Sequence, residues 1–154
     1  MKHLLAGLLV AIAAAALTAP VATAAKPTRE HVTFSDRTFT GQCSFAVFRH
    51  VLVNRSVLTT YSDGTQRLTG TFKERLTNVD TGKFIDVNAS GPVLTIFHLD
   101  GSSTEINGGR QFLRPPGRLL ITTGRVIVER NAAATIVGFT QEGGTTQDVC
   151  ELLA

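Results

Sequence analysis

Between Gln66 and Asn88 the chain reads QRLTGTFKERLTNVDTGKFIDVN, and the alternation in it limits the fold more than anything else in the sequence. Leu68, Gly70, Phe72, Glu74 and Leu76 take turns with Arg67, Thr69, Thr71, Lys73 and Arg75. A period of two gives a strand one buried and one wet face, whereas a helix would scatter the same residues around its circumference. Thr77–Lys83 then holds Asn78, Asp80 and Gly82, residues that bond their own backbone or accept positive φ. The stretch predicts a long strand, a turn and a return strand.

The first 24 residues have a different pattern. Lys2 and His3 precede the apolar run Leu4–Leu17, and Ala22-Thr23-Ala24 supplies small residues at the end. That order is the one expected of a secretory signal peptide over 1–24, cleaved near Ala24. The run is shorter than the ~20 residues a membrane-spanning helix needs. No second apolar run of that length follows, so the expectation is a secreted, extracellular chain with no stable membrane span. Cys43 and Cys150 are the only cysteines, and in an oxidising compartment they are expected to form a disulfide. Paired α-carbons come within about 7 Å, so the first and last strands are expected to approach each other. A redox-active pair is disfavoured, because the two lack a CxxC spacing.

The rest of the chain continues in short extended segments. Ala25–Glu30 reads as a loose arm and His31–Phe34 as a short strand. Ser44–Val53 is apolar on both faces, with Phe45, Val47, Arg49, Val51 and Val53 expected to share one of them. Ser62-Asp63-Gly64-Thr65 and Asp100-Gly101-Ser102 are hairpin-turn signals, and Pro92 breaks the chain between them. Val93–Leu99, a brief return at Thr104–Ile106, Leu119–Thr122, Arg125–Arg130, Thr135–Phe139 and Asp148–Leu152 complete the set of strands, and no helical period stands out. The expected fold class is all-β: an antiparallel meander closing into a barrel of about eight strands, with a two-sheet β-sandwich as the alternative. Residues 25–42 would form an N-terminal arm with a short strand, and 43–154 a single barrel-like domain.

No motif announces a chemistry. GxSxG, HExxH, GxxxxGK[ST] and GxGxxG are all missing. His31, His50 and His98 lack metal-ligand spacing, so no metal and no cofactor is expected. The net charge of +3 loses one unit when Lys2 leaves with the leader, too little for a nucleic-acid footprint. Arg110, Arg114 and Arg118 surround Pro115-Pro116, either as a solvated loop or as an anion-binding rim. The residue that breaks its own pattern is Glu74, a carboxylate on the apolar face of its strand. Isolated buried charge is costly, so Glu74 must be paired, protonated or in contact with enclosed water. Arg49 is its mirror case among valines. The two are expected either to form a register-fixing ion pair or to face a ligand pocket together with His98.

Cys43, the TN-x-x-TGK turn at Thr77–Lys83, Ser90-Gly91-Pro92, Asp100-Gly101-Ser102 and Asp148–Cys150 together resemble a group of small secreted actinobacterial proteins of unknown function. The resemblance implies a disulfide-stapled β fold and carries no functional residues. In fold alone, the short meander is similar to calycin-like and allene-oxide-cyclase-like barrels. The functional expectation is a secreted binding module for a small apolar ligand or an extracellular macromolecule. The alternative is a secreted enzyme that uses an inward-facing Glu74 for acid–base chemistry.

Overall fold

The computed structural model describes residues 25–154, and the leader expected over 1–24 lies outside the described residues. In chain order come β1 (Thr28–His31), β2 (Arg37–Phe39), β3 (Val47–Thr60), β4 (Gln66–Asn78), β5 (Phe84–Asn88) and β6 (Val93–Phe97). They are followed by β7 (Ser103–Gly108), β8 (Gln111–Leu113), β9 (Leu120–Thr122), β10 (Arg125–Arg130), β11 (Ile136–Glu142) and β12 (Thr146–Asp148). A short helix, α1 (Val149–Leu153), ends the described chain.

The expected hairpin is present as β4, its turn and β5, but the longer partner of β4 is β3. The two pair antiparallel from Val47↔Asn78 to Thr60↔Gln66 and form the spine of the molecule. Along the outer edge of β3, β2 pairs with Val47–Arg49 and β1 with Val57–Thr60, end to end. Along the outer edge of β4, β5 pairs with Lys73–Thr77 and β6 with Gln66–Leu68, again end to end. Each half of the spine thus has its own pair of flanking strands. The segment expected to be a loose arm is part of this sheet.

Two local devices mark the junction between the halves. Leu52 is an extra residue in β3: Val51 pairs with Glu74 and Val53 with Lys73. Such a bulge bends the strand and sharpens its twist. It also reverses the parity of β3. Arg49 and Val51 lie opposite Leu76 and Glu74, whereas beyond the bulge Asn54 and Ser56 lie opposite Phe72 and Gly70. The single face expected from Phe45 to Val53 is therefore broken at Leu52, and Phe45 precedes the strand. Further along, opposite Ser56, Gly70 has φ +130°, and a Cβ there would meet the Arg55 carbonyl oxygen at 2.2 Å. Only glycine lets the two backbones come this close.

The sheet continues from β6 through β7 and β10 to β11, giving nine strands in the order β1-β3-β4-β6-β7-β10-β11 with β2 and β5 on the spine. Its terminal strands do not pair with each other, so the expected barrel is not closed. A second sheet, β12-β9-β8, stands apart, and this arrangement fits the two-sheet alternative. Leu119–Thr122 is buried throughout. Leu119 and Ile121 pack with Phe39, Val47, Leu76, Val87, Val149 and Leu153, while Leu120 packs with Leu113, Val126, Val128 and Ile136. Within the small sheet, β8 and β9 thus face the core, and β12 lies at its exposed edge.

Cys43 and Cys150 are bonded, with α-carbons 5.4 Å apart. The bond does not join two strands, because Cys43 lies in the connector before β3 and Cys150 in α1. Asp148 ends the final strand by capping α1, its Oδ1 accepting a hydrogen bond from the Cys150 N–H at 2.8 Å. The Thr77–Lys83 turn holds the far end of the same helix. Buried Asn78 donates to the Leu153 carbonyl at 3.0 Å, and Lys83 Nζ to the main-chain oxygen of Ala154 at 2.7 Å.

Candidate functional site

A cavity of about 180 Å³ lies against the middle of the spine, beside Gly70. Its spine-side wall is Ser56, Leu68, Phe72 and Glu74, and its roof is Gln111, Phe112 and Arg114 from β8 and the residue after it. Phe34 enters from the β1–β2 connector, its ring centroid 4.9 Å from that of Phe72. Ala89, Gly91 and Val93 close the side along the β5–β6 connection. That connection is drawn onto β4 by hydrogen bonds from Ala89 N–H to the Phe72 carbonyl and from Phe72 N–H to Ser90 Oγ, each 2.9 Å. Exposed Gly70 and Arg114 stand where the cavity meets solvent. The space matches that of engineered cavities, about 150 Å³, that admit a benzene ring.

Glu74 supplies the chemistry of this cavity. It is 0 % exposed, and neither carboxylate oxygen has a hydrogen-bond partner among the described residues. Strand register puts it between Val51 and Val87, neither of which offers a side-chain donor. Its nearest cation is Arg49, whose Nε lies 3.8 Å from Oε2. The expected Arg49–Glu74 pair is therefore a contact between charges without a hydrogen bond. Arg49 instead donates from Nη2 to the Ser35 carbonyl at 2.7 Å, and its Nε has no acceptor. Burial raises the Glu74 carboxyl to about 7, against the opposing attraction of Arg49 and Arg114. The result is an acid near half-ionisation at neutral pH, facing a small cavity with aromatic walls.

Of the three residues singled out in the sequence, Glu74 and Arg49 line this cavity and His98 does not. His98 follows β6 in an exposed turn, where its Nε2 lies 2.9 Å from Thr104 Oγ1, which in turn donates to Glu129. Of the arginines around Pro115-Pro116, Arg118 faces Asp148 at 3.7 Å and Arg114 reaches the cavity. No periodicity marks Phe34, Gln111, Phe112 or Arg114 as cavity residues, since all four come from short or irregular segments.

Arg114 also belongs to a cationic cluster. The guanidinium carbons of Arg37, Arg49 and Arg114 stand 5.8, 5.7 and 5.1 Å from the centre of the Phe39 ring. Such stacking holds long side chains in place. Partial desolvation, then the charges of Arg37, Arg49 and Arg130, lower the Arg114 guanidinium below its ordinary range, with Glu74 acting the other way.

Comparison with protein-family models, curated proteins and solved structures finds no match for this chain. Among the described residues, no group of His, Cys, Asp and Glu could hold a metal ion. No helix among them is long and apolar enough to cross a membrane. The disulfide fits an extracellular location.

Proposed function

We propose that this is a secreted binding module whose ligand is a small, neutral, largely apolar molecule carrying one hydrogen-bond donor. The observation behind the reading is Glu74: a fully buried carboxylate with both oxygens unpartnered, on the wall of a cavity of about 180 Å³. A buried polar group left unpaired is costly, and a ligand hydroxyl that reaches it recovers that cost on binding. Phe34, Phe72 and Phe112 offer the remainder of the ligand an apolar enclosure with fixed ring geometry. Because a donor favours the ionised carboxylate, binding should be tighter at pH 8 than at pH 5.5.

The test is titration calorimetry with benzyl alcohol on three proteins. The wild type should bind saturably, Ala89→Leu should not bind because the added side chain fills the cavity, and Glu74→Gln should bind about tenfold more weakly or worse. Absence of saturable binding, or binding indifferent to both substitutions, would contradict the proposal. A carboxyl poised near neutral pH also favours a second reading, an enzyme in which Glu74 moves a proton. In that reading Glu74→Gln abolishes turnover while the fold persists; turnover retained in this variant would exclude it.

A further inference from the structure

On the other side of Arg114 lies a second, more open space of about 550 Å³. It is a polar groove lined by Arg37 and Phe39 of β2, Gln42 of the next connector, Arg114, and Arg130 at the end of β10. Four guanidinium groups, those of Arg37, Arg49, Arg114 and Arg130, gather around this groove and the adjoining cavity.

Their partners are unequally shared. Arg130 is held by Glu105 through two hydrogen bonds, at 2.7 and 3.1 Å, and by the Ala134 carbonyl at 3.0 Å. Arg49 has Ser35 and the charge of Glu74. Arg37 and Arg114 form no ion pair among the described residues, although both are pinned against Phe39. Two positive charges therefore stand 5.8 and 5.1 Å from the centre of one buried ring, neither held in an ion pair among the described residues. Unsolved repulsion of this kind is relieved by a bound anion, and guanidinium groups suit a tetrahedral oxyanion through paired N–H donors. Gln42 adds a detail to the same groove: its Oε1 is buried and has no hydrogen-bond partner. An acceptor at that place suits an anion that itself carries one O–H. Hydrogen phosphate does, and sulfate of the same charge does not.

We infer that the groove between Arg37, Arg114 and Gln42 is a binding site for a dianionic phosphate group. Arg37 and Arg114 neutralise the two charges, Arg130 closes the end of the groove, and Gln42 accepts the remaining proton of the free ion. A phosphate monoester keeps the charge and loses that proton, so free phosphate should be preferred to a monoester. The site does not depend on the occupant of the inner cavity, and the reading of the groove stands if no apolar ligand is found.

The experiment is calorimetric titration of the disulfide-intact protein at pH 8 and constant ionic strength with inorganic phosphate, sulfate, methyl phosphate and chloride. Saturable phosphate binding is expected, at least tenfold tighter than sulfate and tighter than methyl phosphate, with none for chloride. Arg37→Gln and Arg114→Gln should each weaken phosphate at least tenfold. Amide shifts in a heteronuclear NMR spectrum should fall on residues around Phe39 and Arg114 in the wild type. Phosphate binding that is absent, that follows ionic strength alone, or that survives both arginine substitutions would overturn the site. Sulfate binding as tight as phosphate would overturn its assignment to phosphate.

Discussion

At the scale of single residues, Glu74 contributes a pH dependence of stability between the ordinary carboxylate range and neutrality. Its carboxyl is raised to about 7 by burial, from an ordinary value near 4.5. Between those two values the folded protein holds a proton that the unfolded chain has released, so stability falls as the pH rises through this window. The penalty is absent below about pH 4.5 and complete above about pH 7, where it amounts to about 3 kcal/mol. Glu74→Gln removes the charge, so it should raise the melting temperature by several degrees at pH 8 and change it little at pH 4.5. Thermal melts of both proteins across this range check the sign. Had Glu74 been held by a strong ion pair with Arg49, the same substitution would lower stability at pH 8. The inward position of Glu74 was legible in the sequence, because four apolar or small neighbours at a spacing of two define its face. Arg114 was not, since a residue after a three-residue strand has no period to place it.

At the scale of elements, the spine of β3 and β4 does what its alternation promises, and its middle forms one wall of the cavity. The turn signals at Asp63-Gly64 and at Asn78–Gly82 were readable because each needs particular residues at fixed positions. The bulge at Leu52 was hidden: an extra apolar residue in a segment that is apolar on both faces leaves the local pattern unchanged while reversing everything beyond it. The role of Gly70 was half visible, as a glycine in mid-strand, but the approach of the Arg55 carbonyl is a tertiary fact. Gly70→Ala should cost at least about 2 kcal/mol, combining an unfavourable φ with a backbone clash. Denaturant unfolding measures it, and an unchanged midpoint would contradict the close approach of the Arg55 carbonyl to this residue. Hairpin strands end to end along β4 explain the break at Ser90-Gly91-Pro92, where the chain leaves one half of the spine and joins the other.

At the scale of the whole molecule, β8 and β9 supply the buried residues of a separate small sheet, and no last strand of the meander closes the large one. The expectation of closure rests on short connections between neighbouring strands and on the two cysteines, and it fails because proximity of two residues does not say which elements carry them. Cys150 is on a five-residue helix, too short to show a period against the surrounding strands. The disulfide holds that helix and the β2–β3 connector around the core formed by Val47, Leu76, Ile121 and Val149. Replacing both cysteines by alanine should cost about 2–5 kcal/mol, and hydrogen exchange should rise first in α1 and the neighbouring β12. Uniform loss of protection across all strands would contradict that placement. The most direct test of the molecule as a ligand-binding shell around Glu74 is a ¹³C NMR titration of its side-chain carboxyl, assigned by comparison with Glu74→Gln, with and without benzyl alcohol. A midpoint near pH 7 in the free protein that moves down when the alcohol is bound is the expected result. A midpoint in the ordinary carboxylate range, unmoved by the alcohol, would mean that Glu74 is solvated or paired and that the cavity is not a binding site.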